Sequence, residues 1–186
     1  MALYDLPRFA PVIEAIRRRG NTIELQNKIT GTAKIRLVTT DIAEALDGAE
    51  VVYFTAPSYG QKAFFDLAVP ALSDGQVIVL MPGNYGTLAL KAALREAGKD
   101  VLVAETDNLP YACAATEPGV VNVRGVKRGR DAGGVPGGRL RRGWRPAVDG
   151  AFCTGWRKGE NVLATSMSGV NMVVHCAPML ANARTH

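Results

Sequence analysis

The sequence predicts an α/β fold in which helices alternate with the strands of a parallel sheet. Three short apolar runs span residues 51–57, 77–83 and 101–106, and segments with helical periodicity separate them. Short runs that are apolar throughout are typical of parallel strands buried on both faces, and their alternation with helices indicates β-α-β units. Ligands of such sheets bind beyond the carboxyl ends of the strands, so we expect the functional site near Ala56, Gly83 and Glu105.

The amino-terminal region has the pattern of a strand end followed by a helix. Residues 1–5 resemble the end of a strand, and apolar side chains recur at helical spacing from 7 to 19, before a stop at Gly20. No Gly-x-Gly-x-x-Gly motif occurs in the chain. We therefore expect a Rossmann-type sheet that is incomplete, without the first strand, its phosphate-binding loop and its helix.

The next elements are predicted from alternation, caps and turn residues. Residues 21–40 alternate as strands do around a turn at Gly31, and Asp41 caps a short helix. Two longer helices, from about 60 to 72 and from 87 to 97, connect the three apolar strands. An antiparallel pair, 111–113 with 120–124, is predicted around the Pro118-Gly119 turn.

Composition indicates a folded protein without a membrane anchor. The chain has 186 residues, of which 47% are hydrophobic, so it can bury a core. No run approaches the roughly 18 apolar residues that span a bilayer, and no secretory signal begins the chain. The three cysteines lack CxxC spacing, which disfavours a metal site and a disulfide framework. We expect a soluble cytoplasmic protein.

A change of composition divides the chain into three parts. Eight of the 22 Lys and Arg residues lie between 124 and 145, in a stretch rich in glycine and without hydrophobic periodicity. Such a stretch buries too little apolar surface to offset its chain entropy, so we expect it to be irregular. We therefore predict a partial Rossmann domain over 1–127, an irregular Arg/Gly-rich segment over 128–160, and the first helix of an all-helical domain over 161–186.

Polar and small residues at the predicted strand ends are the candidates for cofactor binding. Asp5 ends a strand, where an acid can bind the ribose hydroxyls of NAD and disfavours the additional phosphate of NADP; its alternative role is helix capping. Ala56-Pro57 and Pro82-Gly83 form tight turns that allow a cofactor to approach the backbone.

Two further groups could carry chemistry. Glu105 and Thr106 could orient a nicotinamide or a substrate, or could serve as turn caps. His175 lies one helical turn after Asn171, and an imidazole with a pKa near neutrality can pass a proton to the oxygen of a carbonyl undergoing reduction. A single histidine on an apolar helix is also commonly a buried structural residue.

Four blocks of the sequence resemble the NAD/octopine (opine) dehydrogenase family. They are Leu3–Asp5, Met81–Gly86, Glu105–Cys113 and Asn161–His175, in the order and spacing of that family. The resemblance implies a Rossmann domain followed by a helical domain, and an NAD(P)H-dependent reductive condensation of a 2-oxo acid such as pyruvate with an amino acid. It also implies that His175 is the catalytic histidine and that Asn171 lies at the substrate.

The departures from this family set the remaining expectations. The glycine loop and most of the helical domain have no counterpart in the sequence, so we expect a fragment that does not turn over alone. NAD(H) is favoured over NADP(H), although Arg8 could accept a 2'-phosphate. Alternatives are a protein that binds nucleic acid or another polyanion through its Arg/Gly segment, and a relative of the glycerol-3-phosphate or ketopantoate reductases.

Overall fold

The computed structural model of the chain describes residues 1–127, 130–134 and 156–167. The strands are β1 (Ala2–Tyr4), β2 (Thr22–Asn27), β3 (Gly31–Lys34), β4 (Leu37–Thr39), β5 (Val51–Phe54), β6 (Val77–Leu80), β7 (Leu102–Thr106), β8 (Tyr111–Glu117), β9 (Val120–Val126), β10 (Arg130–Gly134) and β11 (Trp156–Lys158). The helices are α1 (Ala10–Arg18), α2 (Ile42–Leu46), α3 (Ser58–Ala71), α4 (Gly86–Glu96) and α5 (Val162–Met167), and a 3-10 turn (Pro7–Phe9) precedes α1.

The three apolar runs form the parallel strands that the sequence predicts. β5, β6 and β7 pair side by side, with Val51 opposite Val77 and Val77 opposite Leu102. β10 adds to β7 in the antiparallel sense, and β11 pairs with β10, which gives the order β11-β10-β7-β6-β5. The α/β class with a parallel sheet is therefore confirmed.

Beside this five-stranded sheet lies a separate parallel pair, β1 and β4. Among the described strands, neither β1 nor β4 is hydrogen-bonded to β5. Side chains connect the two sheets instead, because the Phe64 ring of α3 packs edge-on against both Tyr4 of β1 and Phe54 of β5, at centroid distances of 5.9 and 5.2 Å. Helix α2 also contacts β1, β4 and α3, so this aromatic packing and α2 together join the two parts of the fold.

A third sheet has the order β3-β2-β9-β8. β2 and β3 form the hairpin expected near Gly31, and β8 and β9 form the antiparallel pair expected around Pro118-Gly119, with two register shifts. The sequence did not indicate that β2 would pair with β9 in the parallel sense, which joins the two hairpins. Such pairing between distant segments has no local signature.

The core occupies both faces of the five-stranded sheet. On one face, side chains of β6 and β7 pack with the buried faces of α3 and α4; this cluster contains Leu46, Phe65, Val69, Leu72, Ile78, Leu80, Leu90, Leu94, Val101 and Val103. On the other face, Val79, Met81 and Ala104 form a smaller cluster. Burial on both faces explains why these strands are apolar throughout rather than alternating.

Two expectations about local structure need correction. Residues 130–134 and 156–158 form strands inside the segment 128–160 that was expected to be irregular, because the free edge of β7 supplies hydrogen-bond partners that composition alone cannot reveal. The α-helix expected over 7–19 also begins later than predicted, because residues 7–9 form a 3-10 turn before α1. Residues 128–129 and 135–155 lie outside the described ranges.

The described part of the chain contains no helix that is both long and apolar enough to cross a bilayer.

Candidate functional site

The carboxyl ends of β5, β6 and β7 lie at one edge of the sheet and bring the predicted turns together. The amide of Met81 donates to the Phe54 carbonyl at 2.7 Å, and the amide of Gly83 donates to the Thr106 carbonyl at 3.0 Å. The strand ends are therefore held beside one another. The turns at Ala56-Pro57 and 82–86 and the residues Glu105-Thr106 form this edge, as parallel pairing predicts.

The 82–86 turn has a tightly specified backbone. Asn84 and Tyr85 both have positive φ angles, 49° and 65°, and the peptide bond before Pro82 is cis. The Gln61 side chain of α3 donates to the Gly83 carbonyl at 3.1 Å. The side-chain amide of Asn84 donates to the Ser58 hydroxyl at 2.9 Å. These bonds fix the turn against the first turns of α3.

Gly83 is required by close packing rather than by its backbone angles. A Cβ atom at this position would overlap the Cβ and carboxyl atoms of Glu105. Because Glu105 is fully buried, its side chain cannot move aside into solvent. Glycine here lets the turn lie directly on the end of β7.

The Glu105 carboxyl is the centre of a buried polar cluster. The Thr87 hydroxyl, in the first turn of α4, donates to Oε2 at 2.5 Å, and the Ser166 hydroxyl of α5 donates to Oε1. The Ser166 oxygen also accepts the backbone N–H of Tyr85 at 3.0 Å. One carboxyl thus connects β7, α4, α5 and the 82–86 turn.

Thr106 is also buried, and its hydroxyl donates to the Asn108 carbonyl at 2.7 Å. Asn108 in turn accepts from the Lys127 ammonium through its side-chain oxygen, at 2.5 Å. Thr106 therefore stabilises the loop that leaves β7. Of the sequence candidates, Glu105 and Thr106 both direct their side chains into the protein.

Asp5 lies directly after β1, as the sequence predicts. Its Oδ1 accepts the Leu6 amide at 2.8 Å, so one carboxylate oxygen serves the local turn. The neighbouring Tyr4 has a raised pKa, chiefly because burial disfavours the phenolate and secondarily because Asp5 and Asp41 place negative charge beside it. Asp5 thus contributes negative potential at the end of this strand pair.

His175 and Asn171 lie outside the described residues, so their predicted roles stay predictions. Within the described ranges, no group of three or more His, Cys, Asp or Glu side chains could hold a metal ion. Sequence reasoning did not identify Gln61, Thr87 or Ser166 as contributors to this edge. Thr87 had been interpreted only as a helix start, and no local pattern distinguishes a buried hydroxyl that binds a distant carboxylate.

Comparison with known proteins confirms the resemblance to opine dehydrogenases in sequence and in fold. No family model matches the chain. The chain is 33% identical over 173 residues to an opine dehydrogenase of Arthrobacter sp. (strain 1C), covering 92% of this chain and 48% of that protein. It is 30% identical to the octopine dehydrogenase of Pecten maximus, over 50% of this chain and 24% of that one. The chain therefore spans about half or less of the length of these relatives.

The fold matches solved structures of the same kind. An octopine dehydrogenase structure with NADH and L-arginine superposes with a TM-score of 0.72 at 22% identity, covering 91% of this chain and 45% of that one. A yersinopine dehydrogenase with bound NADP+ gives a TM-score of 0.70 at 18% identity, over 91% and 44% of the two chains. At these identities the match concerns the fold.

Proposed function

We propose that this chain, similar to opine dehydrogenases over 92% of its length, forms the cofactor-binding part of an oxidoreductase of that type. The reaction would be an NAD(P)H-dependent reductive condensation of a 2-oxo acid with an amino acid. The observation that carries the proposal is the 33% identity over 173 residues to a protein named opine dehydrogenase. The edge formed by the ends of β5, β6 and β7 supports it, because dinucleotides bind at this edge of α/β sheets.

The residues at the strand ends fit a nicotinamide dinucleotide. Asp5 would accept the ribose hydroxyls with a carboxylate oxygen, since its bond to Leu6 engages Oδ1. The turns at Ala56-Pro57 and Pro82-Gly83 would let the cofactor approach the backbone. Glu105 and Thr106 would support this site from within the protein, because both are buried.

We propose NAD(H) as the preferred cofactor. A carboxylate at Asp5 would repel the 2'-phosphate of NADP(H), and the raised pKa of Tyr4 reflects, after burial, the negative potential from Asp5 and Asp41. Arg8 is the nearby cation that could favour NADP(H), and its guanidinium stacks over the Phe9 ring at 4.9 Å.

The proposed chemistry follows from the family resemblance. The bound cofactor would supply the hydride that reduces the imine carbon. His175 would hold or release the proton at the substrate oxygen, and Asn171 would contact the substrate. The substrates would be a 2-oxo acid and an amino acid.

The test is a fluorescence titration of the chain with NADH and with NADPH. We expect NADH to bind more tightly, and Asp5→Asn to weaken NADH binding by about tenfold, the loss expected for a hydrogen bond to a charged group. Asp66→Asn is the matched control, because Asp66 is an exposed aspartate on α3 paired with Lys62. Absence of binding by either nucleotide at millimolar concentration would contradict the proposal for this chain.

A turnover assay adds a second readout. NADH oxidation at 340 nm would be followed with pyruvate and a panel of amino acids, for the chain and for His175→Ala. The chain spans about half the length of its Arthrobacter relative, and we expect no turnover from it alone. Turnover would contradict that expectation, and turnover that His175→Ala leaves unchanged would remove the assigned role of His175. Turnover with the keto acid alone would exclude the condensation reaction.

A further inference from the structure

The Glu105 carboxyl holds together elements that are distant in sequence. Ser166 lies 61 residues from Glu105 along the chain, and Thr87 lies 18 residues from it. The exposed fractions of Glu105 and Thr87 are 0%, and that of Ser166 is 4%. A buried carboxyl is costly unless its oxygens are hydrogen-bonded, so both hydroxyls are needed where they are.

The hydrogen bonds form a continuous chain. The Tyr85 amide donates to the Ser166 oxygen, the Ser166 hydroxyl donates to Oε1, and the Thr87 hydroxyl donates to Oε2. Tyr85 lies near the end of the 82–86 turn and has a positive φ. The hydrogen bond from its backbone amide to Ser166 helps to hold this conformation. Hydrogen bonds in such a chain polarise and strengthen one another.

Close packing also places α5 beside the Glu105 carboxyl. Gly133 of β10 lies opposite Glu105 in the sheet, and a Cβ atom at Gly133 would overlap Thr165 and the Asn161 backbone. Helix α5 therefore rests directly on β10 next to the Glu105 carboxyl. A shift of α5 must therefore either break the hydrogen bond from Ser166 to Glu105 or move the Glu105 side chain together with the helix.

We propose that Glu105 is a positioning residue, whose carboxyl fixes the 82–86 turn and helix α5 in one mutual arrangement. A perturbation of the turn is transmitted to α5 through the carboxyl, and a perturbation of α5 is transmitted to the turn. The consequence for cofactor binding rests on the proposed function, in which this turn borders the nicotinamide. The coupling itself does not.

The test is hydrogen exchange of the full chain, measured by mass spectrometry without cofactor. Thr87→Val removes the donor to Oε2, and we expect exchange in α5 to rise by about tenfold although the changed residue lies in α4. Ser166→Ala should raise exchange at Tyr85 and in the first turn of α4 to a similar degree. Glu105→Ala should do both, and Glu105→Gln should restore part of the protection because its side-chain oxygen can still accept one hydroxyl.

Thr39→Val is the matched control. Thr39 is also buried, donates to the exposed Glu44 carboxylate at 2.6 Å and accepts the Asp41 amide at 3.0 Å, so it makes the same kind of hydrogen bond in another part of the chain. Its effect should stay in α2. If Thr87→Val alters exchange only in α4, or if Thr39→Val raises exchange in α5 equally, the proposal is wrong.

An NADH titration of the same variants separates the two proposals. If Thr87→Val and Ser166→Ala weaken NADH binding while Asp66→Asn does not, the carboxyl positions the cofactor site. If the unmodified chain binds no NADH but the exchange pattern holds, the coupling stands and the proposed function fails. If both variants bind NADH as tightly as the unmodified chain, Glu105 positions the turn and α5 but not the cofactor.

Discussion

Replacement of Gly83 by alanine tests the packing of the 82–86 turn on β7. The new methyl group would overlap Glu105, whose side chain is fully buried and bonded through both carboxyl oxygens. Overpacking in a core costs about 1–3 kcal/mol, and the fixed carboxyl places this site at the upper end. We expect Gly83→Ala to lower the free energy of unfolding by about 3 kcal/mol.

Gly60→Ala provides the control with the opposite expected sign. A Cβ atom at Gly60 meets nothing within 4 Å, and the residue lies within helix α3. Alanine in a helix is favoured over glycine by about 0.5–1 kcal/mol, so this variant should be slightly more stable. Urea unfolding followed by circular dichroism gives the midpoint and slope for each variant.

The reasoning would be refuted if Gly83→Ala unfolded at the same urea concentration as the unmodified chain. It would also fail if Gly60→Ala destabilised the chain as strongly, because the cost would then reflect any added methyl group near this edge.

Four further predictions concern other parts of the chain. Asp41→Ala should cost about 1 kcal/mol in urea unfolding, because the carboxylate accepts two amides in the first turn of α2; an unchanged midpoint would contradict this role. Asp5→Asn should lower the raised pKa of Tyr4 toward its ordinary value of 10.0 but not reach it, because burial is the larger cause; the difference in phenolate absorbance at 295 nm between chains with Tyr4 and with Tyr4→Phe isolates this residue among the five tyrosines. A raised pKa means that the folded state holds this proton more tightly, so stability contributed by the Tyr4 phenol is present below pH 10 and is lost as pH rises through the folded pKa; alkaline unfolding of Tyr4→Phe should show a smaller loss. Gln76→Leu should destabilise by about 2 kcal/mol or more, because the buried amide serves the Leu46 and Ala49 carbonyls; a stability equal to that of the unmodified chain would refute this.

The central strands could be predicted because their signal is local. Val77–Leu80 is apolar throughout and is bounded by polar or turn residues. This is the sequence pattern of a strand that is buried on both faces. Asp41 was likewise recognisable as a helix cap, and its side chain accepts the Ala43 and Glu44 amides. In each case the physical cause acts over a few residues.

Other features depend on contacts that no local pattern encodes. β10 is composed of residues that disfavour strands, and it forms because β7 offers a free edge and Gly133 lets α5 approach closely. The sequence left open whether Glu105 orients a ligand or caps a turn, and it did not indicate that the hydrogen-bond partners of this carboxyl come from α4 and α5. The predicted roles of His175 and Asn171 stay predictions, since both lie outside the described ranges.

The contact of Phe64 with Tyr4 and Phe54 makes one aromatic ring the spacer between two sheets. Backbone hydrogen bonds set the separation of paired strands at about 4.8 Å whatever the side chains are. Between β1 and β5 no backbone pairing fixes the separation among the described residues, so side-chain packing, to which Phe64 contributes, sets it. Substitution at position 64 would therefore change the distance between the two strands. Under the proposed function, this residue would adjust the span of the cofactor site between Asp5 and the strand ends without touching the cofactor.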